Sequence, residues 1–224
     1  MDLGDSGRMT RSSLSIGEVF RESFDLYKSN PSIIIPSLFP VFWVFIAPFI
    51  GLAGPLALFS FGLGFASLIM RMVVFSLIYF VLFILAEGMT VEMIKEAYAG
   101  HSASLRGALD RVLLRIGPLV LASVLVAVLF SIGYMIFVLP GLILTFLFWF
   151  VPQAIILEDE GAIGALRRSF EFVRDNFLDA LIIVLVSIGL YVILSAIPYI
   201  GWIVLLAATP YYICLSTLLY IERA

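Results

Sequence analysis

The chain has 224 residues, 62% of them hydrophobic and 13% charged, with a net charge of −3. Soluble domains carry about 25% charged residues, so this chain has too few ionised groups to coat a water-facing surface, and its composition defines an integral membrane protein. The near-neutral charge argues against nucleic-acid binding, and no polar stretch is long enough for a soluble catalytic domain of about 100 residues.

Residues 1–15 read as a flexible polar tail, and the lack of a short apolar core before a small-residue cleavage site argues against a cleaved signal peptide. Ser15 with Glu18 three residues on forms a capping box. Ile16, Val19, Phe20, Phe24 and Tyr27 then repeat at helical spacing, which predicts an amphipathic helix over 16–30 lying in the membrane interface. A first span follows at 33–50. The glycine-rich stretch 51–71, with Gly51, Gly54, Pro55, Gly62 and Gly64, is expected to be a re-entrant or interfacial excursion. A second span covers 72–94.

The pattern then repeats. Leu105, Ala108, Leu109, Val112, Leu113 and Ile116 stripe a second interfacial helix over 104–117, leading to spans at 118–139 and 142–157 joined through Leu139-Pro140-Gly141. Ile163, Leu166, Phe170, Val173 and Phe177 stripe a third helix over 162–176, leading to spans at 177–197 and 199–221 joined through Ile197–Gly201. An all-α polytopic bundle of six transmembrane helices with three cytoplasmic interfacial helices is predicted, as a single membrane domain over 1–224.

The three units align. Arg21-Glu-Ser23-Phe24-Asp25 matches Arg167-Arg-Ser169-Phe170-Glu171, Lys28 matches Arg174, and Asn30 matches Asn176. Gly107-Ala-Leu109 of the middle copy matches Gly164-Ala-Leu166. Arg21–Asp25 and Arg167–Glu171, four residues apart, are expected to pair. Of the 13 basic residues, 12 fall in the segments that such a topology places on one side, and only Arg71 falls on the other. By the positive-inside rule both termini are cytoplasmic, in a plasma membrane.

Candidate chemistry is sparse. His101 reads as a solvated loop residue, Cys214 lies alone in the last span, and no metal or cofactor site is expected. The Glu158-Asp159-Glu160 trio reads as a solvated turn. Three intramembrane polar residues stand out: Glu87, Gln153 and Arg71. A charge inside a span is costly and hence a functional candidate, although Glu87 is close enough to the cytoplasmic end to pair with Lys95 or Arg115. Arg71 suits interfacial anchoring. Gln153, beside the helix break expected at Pro152, could cap a freed carbonyl or bond across helices. Tyr199, Trp202 and Tyr220 read as aromatic belt, and Trp43 and Trp149 as helix-packing residues. Arg21, Lys28, Arg167, Arg168 and Arg174 are the expected lipid-headgroup contacts.

The stretch Leu139-Pro140-Gly141 … Val151-Pro152-Gln153 … Glu158-Asp159-Glu160-Gly161 … Arg168-Ser169-Phe170 … Arg174-Asp175-Asn176-Phe177, with Ile16-Gly17-Glu18-Val19-Phe20 … Tyr27-Lys28-Ser29-Asn30-Pro31, resembles the membrane domain of glycerophosphoryl diester phosphodiesterases and its stand-alone relatives. The resemblance implies a six-helix prokaryotic membrane protein. It implies no catalysis, because the soluble catalytic barrel has no counterpart in this sequence. Two functions follow as expectations: a non-enzymatic module that interacts with or organises lipid, or a transporter or channel for a small or apolar solute. Membrane lipids are the expected partners, with a second copy or another membrane protein as the alternative.

Overall fold

The computed structural model describes residues 14–53, 55–197 and 201–224, with side chains described outside 47–68, 202 and 203. Residues 1–13 of the expected tail, the 198–200 turn with Tyr199, and the Trp202 side chain lie outside the described residues. Apolar segments in a bilayer must satisfy their backbone groups internally, which favours helix. The described residues form α1 (Ile16–Ser29), a one-turn 3-10 segment (Pro31–Ile34), α2 (Ile35–Ala53), α3 (Pro55–Tyr98), α4 (Leu105–Leu114), α5 (Ile116–Ile136), α6 (Val138–Leu147), α7 (Val151–Leu157), α8 (Ala162–Asp175), α9 (Phe177–Ser195) and α10 (Gly201–Arg223), with no strand.

Among the described residues, five stretches are long and apolar enough to cross a membrane: Ile69–Tyr98, Ile116–Ile136, Val138–Leu157, Phe177–Ser195 and Val204–Arg223. Pro31–Ile46, entered from α1 through a 92° bend, raises the number to as many as six. The bend lays α1 across the end of the bundle. Its capping box is formed, with Ser15 and Glu18 exchanging side-chain and backbone hydrogen bonds.

Helices α2/α3, α5/α6–α7 and α9/α10 form three hairpins, each preceded by an amphipathic helix. Packing follows a cycle. α4 lies most closely on α3, α8 on α7, and α1 closes the ring on α10. Each amphipathic helix therefore packs on the second span of the preceding unit. The lower half of α3, together with α7 and α10, fills the core with Met89, Met93, Ile94, Ala154, Ile155, Leu215, Leu218 and Leu219. α5 and α9 expose Leu121, Val128, Leu178 and Leu185, as helices facing lipid should. Asn30 and Asn176, aligned in the repeat, make the same bond: each Nδ2 donates to the carbonyl four residues back, Leu26 at 3.0 Å and Phe172 at 3.2 Å.

Several expectations are corrected. Residues 55–71 make no re-entrant turn, because α3 runs unbroken from Pro55 to Tyr98. Each glycine costs only about 1 kcal/mol in a helix, less than unpaired backbone in hydrocarbon. The α5–α6 turn falls at Phe137 rather than at Leu139-Pro140-Gly141. Pro140 sits in the first turn of α6, where its missing N–H is tolerated. Gly141 instead allows close helix packing: a Cβ there would strike the Tyr134 ring, and one on Gly133 would come within 3.0 Å of the Gly141 Cα. The apolar stripes of the amphipathic helices are divided: Val19, Ala108, Val112 and Val173 are buried against the spans, Phe24, Leu113, Ile163, Phe170 and Phe177 remain exposed, and α8 buries instead a neighbouring face with Ala165 and Phe172.

Candidate functional site

The span Val138–Leu157 is broken between α6 and α7. Pro152 supplies no N–H, and its ring would crowd the Phe148 carbonyl in a continuous helix, which favours a break at this point. Buried Ser169 of α8 bridges the gap: its hydroxyl accepts from the Phe150 N–H at 3.2 Å and donates to the Leu147 carbonyl at 2.8 Å. Phe150 packs beneath it against Phe172, with ring centroids 4.7 Å apart.

The break opens a cleft of about 420 Å³ between α3, α5, α6–α7 and α10. Phe80, Phe83, Phe130, Phe148 and Trp149 line it with aromatic rings. Phe83 and Ala127, both exposed, lie on its lining within segments apolar enough to cross the membrane. The polar lining includes Glu87, Gln153, Ser123, Thr145, Tyr212 and Ser216. Glu87 also lines a smaller cavity of about 130 Å³ with Ser37, Tyr79 and Tyr212.

Gln153 bonds across helices, its Nε2 donating to the Ser216 hydroxyl at 3.1 Å. Its Oε1 is buried without a donor. Ser216 donates to backbone carbonyls of its own helix, and Thr145 donates to the Gly141 carbonyl at 2.9 Å. No ion pair or hydrogen bond reaches Glu87 among the described residues. Both expected partners are engaged elsewhere: Lys95 lies 3.6 Å from Glu92, and Arg115 pairs with Asp159. Arg71, on the same helix, is separated from Glu87 by about 24 Å along the axis. Two of the three intramembrane candidates thus share a cleft, and Arg71 lies apart from it.

A second polar cluster lies where α3 meets α4. Glu92, 2% exposed, pairs with Arg111, which also reaches Glu96 at 3.0 Å. The Glu92 hydrogen bond and charge push the Arg111 guanidinium pKa further up. A cavity of about 280 Å³ lies beside this cluster, lined also by Lys95, Arg115 and Asp159. The acidic trio is a solvated turn only in part, with Asp159 exposed and Glu158 drawn inward. Asp159 pairs with Arg115, while Glu158 receives Arg168 Nε at 2.7 Å and the Tyr220 hydroxyl at 2.7 Å. The Glu158 hydrogen bond raises the Arg168 pKa. Tyr220 leaves the aromatic belt for the core, stacked on Phe172 at 4.6 Å.

Among the expected headgroup contacts, Arg167 pairs with Glu171 at 2.9 Å, Arg168 with Glu158, and Arg174 with Asp175 at 2.9 Å. Exposed Arg21 and Lys28 form no ion pair among the described residues, so the expected Arg21–Asp25 pair is not made. His101 is exposed, and no group of three or more metal-ligating side chains occurs among the described residues. Sequence reasoning missed Trp149, Tyr212 and Ser216 as cleft residues. The spacing of Tyr212 and Ser216 places both on one face of α10, a usable signal, whereas nothing local marks Trp149.

These features define an all-α polytopic membrane protein with an acid-bearing cleft between its spans. Residues 14–218 match the family model described as a domain of unknown function, DUF7847, and the chain belongs to that family. No curated protein and no solved structure matches it.

Proposed function

We propose that the chain is a non-enzymatic membrane module that takes a lipid-like molecule into the intramembrane cleft. The cleft itself carries this reading. Its volume of about 420 Å³ falls within the roughly 300–1,000 Å³ of small-molecule sites, and its aromatic wall suits an acyl chain. On this reading the end bearing α1, α4 and α8 faces the cytoplasm of a plasma membrane. Arg21 and Lys28, without ion pairs among the described residues, then attract anionic headgroups at about 1 kcal/mol each near the surface. The resemblance to the phosphodiesterase membrane domain supports a lipid-side role without catalysis.

Transport is the second reading, favoured by the broken α6–α7 span beside Glu87, because transporters build sites at such breaks. The test uses purified protein in liposomes holding a phospholipid with a photoactivatable acyl chain. Crosslinks are expected at Phe83, Phe148 and Trp149, reduced by the cleft-filling Ala127→Trp, with no ion current or proton flux. Crosslinking spread evenly over the exposed faces of α5 and α9 refutes the cleft reading. A reproducible conductance abolished by Glu87→Gln establishes the channel reading instead.

A further inference from the structure

We infer that the cleft selects amphiphiles whose polar end is a protonated amine, seated against Glu87. This rests on the proposed lipid-binding role and adds the chemical class of the ligand. The lining of the cleft contains one ionisable acid, Glu87, and no Lys, Arg or His. Neighbouring cations are committed, Lys95 to Glu92 and Arg115 to Asp159. Burying an unpaired carboxylate among apolar groups is costly, and a bound ammonium group would offset that cost directly.

The other polar groups agree in sign. Gln153 is 2% exposed, and its Oε1 lacks a donor. The Ser216 and Thr145 hydroxyl protons are given to backbone carbonyls, so neither hydroxyl donates to a ligand, although Ser216 already accepts from Gln153 and Thr145 faces the Tyr134 hydroxyl. The cleft thus offers a buried acceptor on Gln153 and a carboxyl group that a bound ammonium can pair with as a carboxylate. Phe80, Phe83 and Trp149 add aromatic faces that attract a cation further. An anionic head would meet the Glu87 carboxyl with no compensating cation on the lining, and an alcohol could hydrogen-bond to it but form no ion pair.

The experiment compares dodecylamine, dodecanol and dodecanoate in nanodiscs of phosphatidylcholine, each competing with a photoactivatable dodecylamine whose crosslinks are mapped by mass spectrometry. The amine should compete at least about tenfold better than the other two. Glu87→Gln should remove that advantage while leaving dodecanol unchanged. Ala127→Lys, which places a cation on the lining without touching Glu87, should shift the preference toward dodecanoate and keeps the test valid if Glu87→Gln does not fold. Equal competition by all three, with either variant indifferent, overturns the amine preference and leaves the lipid-binding cleft standing. Absence of any crosslink to cleft residues overturns both.

Discussion

Ser169 and Ser23 occupy the same position of the internal repeat and are both fully buried, yet replacing each by alanine should have different consequences. Ser169 holds the break in the fourth span through two hydrogen bonds, one from the Phe150 N–H and one to the Leu147 carbonyl. Interhelical hydrogen bonds in membrane proteins average about 0.6 kcal/mol each, so the two contribute roughly 1 kcal/mol. A buried N–H left without any partner raises the loss toward about 3 kcal/mol. At roughly 2–4 °C per kcal/mol for a chain of this size, Ser169→Ala should lower Tm by about 2–12 °C. Ser23 packs on α10, a helix unbroken at that level, and its hydroxyl finds no hydrogen-bond partner. Removing an unsatisfied buried hydroxyl costs no hydrogen bond, so Ser23→Ala should move Tm by less than about 2 °C. Thermal unfolding in mild detergent, followed by intrinsic fluorescence, measures both. Equal shifts for the two variants, or no shift for Ser169→Ala, would refute the assignment of Ser169 as the clamp of the broken span.

Arg111→Ala leaves Glu92 buried with only Lys95 nearby, so its Tm should fall, and the double variant Arg111→Ala with Glu92→Gln should recover part of the loss; a double variant less stable than the single one contradicts this. The Ser15 hydroxyl, and then the Ser15 N–H, hold the Glu18 carboxyl below its usual range. The capping box therefore stabilises α1 fully above the ordinary carboxylate pKa and loses that stabilisation as pH falls through the lowered value. Amide exchange in the first turn of α1 should accelerate on acidification through that window, and the Glu18→Gln variant should lack this dependence. In a Cys214→Ala background, cysteines at positions 101 and 224 should label from the cytoplasmic face and one at position 139 from the opposite face; labelling of position 224 from outside overturns the proposed orientation.

The fold class and the amphipathic helices were legible in the sequence because their causes are local. A long apolar run in hydrocarbon satisfies its backbone only as helix, and Ser15 with Glu18 caps α1 through groups three residues apart. The capped α1, the paired Asn30 and Asn176 bonds and the Arg167–Glu171 bridge all reflect such short-range rules. Tertiary structure decided the rest. It set part of each amphipathic helix against a neighbouring span, drew Tyr220 from the expected belt into the core, and brought Arg111 to Glu92 and Arg168 to Glu158. It also separated Glu87 from every expected counter-charge and placed it with Gln153 and Trp149 around one cleft. Helical periodicity shows which residues share a face but not which helix that face meets. Pairings such as Gln153 with Ser216, 63 positions apart, depend on how whole helices dock, and that is settled by the packing of many side chains together.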